Sequence, residues 1–67
     1  MLRRHLAIAE EHIANGERIL ARQRNVVEEL ESGGHDSESA RRLLQIFEKL
    51  QAGHIADRDR LRRALGP

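Results

Sequence analysis

Ser32-Gly33-Gly34-His35-Asp36-Ser37 is the stretch on which the fold of this chain turns. Either glycine, Gly33 or Gly34, can take the left-handed conformation that ends a helix. Asp36 or Ser37 can then accept the free amides that open the next one, with Glu38 favourable in its first turn. A connection this short makes two flanking helices antiparallel neighbours.

Working outward, both flanks carry a helical period. Upstream, Leu2, Leu6, Ala9, Ile13, Gly16, Leu20, Gln23, Val27 and Leu30 alternate spacings of four and three, a heptad seam whose chemistry changes only at Gly16 and Gln23. Downstream, Ala40, Leu43, Phe47, Leu50, His54, Asp57, Leu61 and Ala64 follow the same rule. Neither flank alternates at period two, so strands are not supported. The expected fold is all-α: one domain over residues 1–67, an antiparallel coiled-coil hairpin with long helices at about 2–32 and 37–65.

Closing the chain at the turn sets Leu30 opposite Ala40, Val27 opposite Leu43, Gln23 opposite Phe47 and Leu20 opposite Leu50. Further along, Gly16 faces His54, Ile13 faces Asp57 and Ala9 faces Leu61. Large residues meet small ones in several of these layers, as interdigitated packing requires. Gly16 and Gly53 each cost a helix interior roughly 1 kcal/mol relative to alanine. The expected return is space for the imidazole of His54.

A chain of 67 residues without cysteine has no disulfide, no thiolate metal site and little core of its own. Yet Ile8, Ile19, Val26, Leu44, Ile46, Ile55 and Leu65 lie off the seam, where a lone hairpin cannot cover them. Ile8, Ile19, Val26, Leu44, Ile46 and Ile55 are therefore the expected dimer interface. Glu28, Glu29, Glu31, Asp36 and Glu38 crowd the turn, while Arg3, Arg4, Arg58, Arg60, Arg62 and Arg63 crowd the open end. Two copies with turns at opposite ends bring unlike charges together, giving an antiparallel four-helix bundle. The expected partner is a second copy, with another helical protein as the alternative occupant of the same flanks.

The architecture resembles Rop, a helical hairpin that dimerises into a bundle and regulates plasmid copy number by binding RNA; the likeness is of architecture, not of sequence motif. The pattern His12-x3-Gly16, Gln23-x6-Leu30, Gly34-His35-Asp36, Leu43-Leu44-x2-Phe47, His54-x3-Arg58-x2-Leu61 is similar to that of short, uncharacterised bacterial helical-hairpin proteins. That resemblance covers nearly the whole chain and implies no particular activity.

Three kinds of chemistry could rest on these residues. His54 and Asp57 are polar where the seam asks for apolar groups, and His12 lies near their level, so His12, His54 and Asp57 form a candidate metal set in a bundle core. The Glu-x-x-His pairs of di-iron bundles are absent, and a structural or pH-sensing histidine accounts for the same positions. Arg58, Arg60, Arg62 and Arg63 are the candidate nucleic-acid contacts. They spread around the helix, have no aromatic neighbour to stack on bases, and belong to a chain of net charge +1, all of which disfavours nucleic acid. Catalysis has no phosphate loop, no nucleophile–histidine pair and no paired carboxylates to rest on, so neither an enzyme nor a cofactor is expected. No apolar run approaches the about 18 residues of a membrane span, and Glu10 and Glu11 follow the basic start too closely for a signal peptide. These features predict a cytoplasmic interaction or regulatory module.

Overall fold

In the computed structural model, which describes residues 1–66, α1 spans Leu2–Ser32 and α2 spans Glu38–Leu65. The chain is all-helical among the described residues, and the two helices form a hairpin. Both ends of the connection are built as its residue types require. Gly34 takes the left-handed conformation at φ +73°, so the His35 N–H reaches the Leu30 carbonyl at 2.8 Å and the Gly34 N–H reaches Glu31 at 3.1 Å. That pair of bonds is a Schellman closure, which satisfies carbonyls the last turn would otherwise leave free. Asp36 then accepts the Glu38 N–H at 3.0 Å. Glu38 in the first turn of α2 and Arg62 and Arg63 in the last complement the helix dipole.

The result is a rod 50 Å long and 16 by 14 Å across, one layer of two helices with no third element to cover its sides. No helix of the described chain is long and apolar enough to cross a membrane.

The seam of α1 is the expected one. Ala9, Ile13, Leu20 and Val27 are buried, and Leu6, Gly16, Gln23 and Leu30 are half-buried between them. The seam of α2 departs from expectation along one of its two columns. Ala40, Phe47, His54 and Leu61 do face α1, but the alternate positions are Leu44, Gln51, Arg58 and Leu65. Leu43, Leu50, Asp57 and Ala64, assigned inward by the spacing, are exposed instead. One of the two columns is thus shifted by one residue, and a glutamine takes the place of a leucine at mid-rod.

The reason lies at Gly16. Gln51, only 6% exposed, lays its carboxamide against the bare Cα of Gly16 and donates from Nε2 to the Ile13 carbonyl at 2.9 Å. A Cβ at Gly16 would overlap the Gln51 Oε1 and stand 2.7 Å from its Cδ. Nearer the turn, Gln23 makes the reciprocal bridge, donating to the Ala40 carbonyl at 2.9 Å. Two glutamines therefore tie each helix to the backbone of the other and fix the register.

That register differs by about one helical turn from the expected pairing. Gly16 faces Gln51 rather than His54, and His54 stacks on His12 with ring centroids 5.2 Å apart. The room at Gly16 serves a carboxamide, not an imidazole. Gly53 has no neighbour within 4 Å of where a Cβ would stand, so nothing inside the hairpin uses its smallness.

Candidate functional site

Residues seven apart on a heptad helix share a column, so the sides of the rod can be read off the seam. On one side of α1 the column beside the seam is Arg3, Glu10, Glu17, Arg24, Glu31, charged throughout. It meets the α2 column Arg41, Glu48, Ile55, Arg62. Ion pairs close this side: Arg62 with Glu10 at 3.2 Å and Arg41 with Glu31. Each is solvent-exposed and worth little alone, about 0–1 kcal/mol, but together they occupy the edge with charge.

The other side is built differently. Its α1 column is His5, His12, Ile19, Val26, with Ile8 in the next column outward; its α2 column is Leu43, Leu50, Asp57, Ala64, with Ile46, Gly53 and Arg60 beyond. Ile8, Ile19, Val26, Leu43, Ile46 and Leu50 are all large, apolar and exposed, Leu50 to 55%. Two concavities run along this same side. One of about 190 Å³ is floored by Phe47 and Gln51 and walled by Ile19, Leu50, His12 and His54. The other, of about 350 Å³ and open to solvent, lies between His5, Ile8, Asp57 and Arg60. The smaller is the size of a side chain rather than of a drug-sized ligand.

The structure thus gathers Ile8, Ile19, Val26 and Ile46 of the expected interface onto one face. Leu44 leaves that set because its side chain faces α1, and Ile55 leaves it because it stands on the charged side. Leu43 and Leu50 join it. The sequence signal that would have found them is the pair of adjacent leucines at 43 and 44, which cannot both face α1.

The candidate metal set is only partly assembled. His12 and His54 stack, with an interplanar angle of 20°, whereas Asp57 is exposed and engages Arg60. Among the described residues no group of three or more histidine, aspartate or glutamate side chains is arranged to hold a metal ion. The basic set is largely occupied by carboxylates. Arg58 pairs with Asp59 at 3.1 Å, Arg60 with Asp57, and Arg62 with Glu10. Of the four arginines, only Arg63 lacks an ion-pair partner among the described residues, so a phosphate would compete with an acid at the other three.

What this arrangement can do chemically is bury apolar surface. Holding Gln51 inside is close to neutral: its one hydrogen bond contributes about 1 kcal/mol, while Oε1, buried without a partner, costs about as much or more. Leaving Leu50 in water forgoes up to about 1.5–3 kcal/mol of side-chain burial. The hairpin thus turns a glutamine in and two leucines out, which leaves an exposed apolar face. No protein-family model, curated protein or solved structure matches this chain.

Proposed function

We propose that this chain is a small, non-catalytic interaction or regulatory module whose working form is a homodimer. Two hairpins pack through the His12–Leu50 face into an antiparallel four-helix bundle, an assembly like that of Rop. The observation that carries the reading is the division of the rod into two unlike sides, one closed by ion pairs and one lined by six exposed aliphatic residues. An apolar stripe of this kind on a chain too small to fold around it marks an association surface.

Charge supports the antiparallel sense. The turn end carries Glu28, Glu29, Glu31, Asp36 and Glu38 and the open end Arg3, Arg4, Arg58, Arg60, Arg62 and Arg63, so the two ends of the rod attract at long range rather than by pairing across the apolar face. Turns at opposite ends bring these sets together, whereas turns at the same end oppose like charges.

Because association stabilises the folded chain by mass action, thermal unfolding followed by circular dichroism tests the reading. The midpoint should rise as protein concentration is raised from micromolar to millimolar, and the rise should be the same with and without chelator. A midpoint independent of concentration would contradict self-association, and one that falls on adding chelator would make the histidines metal ligands.

A further inference from the structure

We infer that Gly53 is the seat for Ile46 of a second copy, so that α2 packs against α2 across a two-fold axis near Leu50; this rests on the dimeric reading above. Two hairpins that face each other with turns at opposite ends are related by a two-fold axis lying between them and perpendicular to the rod. Such an axis sets α1 against α1 and α2 against α2, each antiparallel. An axis along the rod would instead set α1 against α2 and bring the two acidic turns together.

Burying the whole apolar face requires the rods to overlap fully, which places the axis at mid-rod. Glu17 is the central residue of α1, and the contact of Gly16 with Gln51 puts Leu50 opposite it on α2. A residue on one side of this level then meets one equally far on the other side. Ile8 lies nine residues before Glu17 and Val26 nine after, so an isoleucine and a valine meet. Ile46 lies four before Leu50 and Gly53 three after, so across the axis the most exposed isoleucine of α2 stands within one residue, about 1.5 Å, of the one position on that helix with no side chain.

Gly53 has no use within its own hairpin. No atom of the chain outside its local helix stands within 4 Å of its missing Cβ, and it occupies the same column as Ile46 on the apolar face. A glycine there weakens the helix, a cost that close approach of a partner side chain explains. Gly16 accepts Gln51 inside the hairpin, and Gly53 accepts the partner's Ile46 outside it.

Filling the seat separates this arrangement from dimerisation in general. Gly53→Leu has open space in the hairpin, so helicity of the variant should equal or exceed that of the parent. Its dimer dissociation constant, measured by sedimentation equilibrium, should rise about tenfold or more because the partner's isoleucine is displaced. Ile46→Ala alone should also weaken association. Combining it with Gly53→Leu should recover most of the loss, since the large and small residues have exchanged places across the axis. A Gly53→Leu dimer as tight as the parent, or losses that simply add in the double variant, would overturn the seat while leaving the dimer intact. A parent protein that stays monomeric would overturn both.

Discussion

Gly16→Leu is expected to destabilise the hairpin by about 3 kcal/mol, a large share of what so small a domain possesses. The added Cβ alone would occupy the space of the Gln51 Oε1, and the rest of the leucine has to enter a layer already filled by Ile13, Leu20 and Phe47. Gln51 would have to swing out, breaking its bond to the Ile13 carbonyl and opening the register. Chemical denaturation followed by circular dichroism reads the loss directly. The cause can be isolated by Gly16→Ala combined with Gln51→Ala. That pair removes both the clash and the buried, unpartnered Oε1, and it adds helix propensity at mid-helix, so it should be neutral or stabilising. If Gly16→Ala with Gln51 retained proves as stable as the double variant, the carboxamide is not what the glycine serves.

The other large effect is expected on the opposite side of Gln51. Leu50→Arg should leave the hairpin able to fold, because the side chain is more exposed than buried and makes no hydrogen bond there. In the dimer, however, Leu50 stands near the axis, so the substitution buries two like charges against each other. Association should weaken about 100-fold or more, about 3 kcal/mol. Lys49→Glu changes the neighbouring residue by two charges but points away from the apolar face, and it should leave the dimer intact. Size-exclusion chromatography with light scattering distinguishes the two variants. Equal behaviour would mean that the face is not where the copies meet.

The sequence and the structure agree where one column of residues is apolar and its neighbours are not. On α1 the seam is bordered on one side by Arg3, Glu10, Glu17, Arg24 and Glu31, so its orientation was legible residue by residue. The turn was legible for the same reason: glycines that can adopt positive φ, followed by an acceptor side chain, have few other uses. On α2 the signal is divided. Leu43 with Leu44 and Ile46 with Phe47 make adjacent columns equally apolar, and hydropathy alone favours Leu50 over Gln51 at the centre. Local pattern could not choose between them, because the choice depends on a long-range fit, a carboxamide beside a glycine 35 positions earlier.

The same ambiguity shaped the reading of the site. With Leu43 and Leu50 placed inside, the exposed aliphatic residues appeared scattered over both sides of the hairpin. The one-residue shift of the second α2 column collects them on one side and leaves Ile55 alone on the other. His54 was legible as a seam residue and His12 as a side chain near its level, but the place of Asp57 was not. The register brings His12 beside it, and Asp57, one column away, turns to Arg60. Polar residues at seam positions signalled that something other than hydrophobic packing sets the register, although the residues that do so are Gln51 and Gln23 rather than His54.

A second copy of the chain is proposed to cover the six-residue apolar face. Sedimentation equilibrium of the purified protein at neutral pH and physiological salt addresses it most directly. A single species of twice the 7.7 kDa chain mass is expected, dissociating to the monomer only on dilution. A mass that stays at one chain up to millimolar concentration would contradict it.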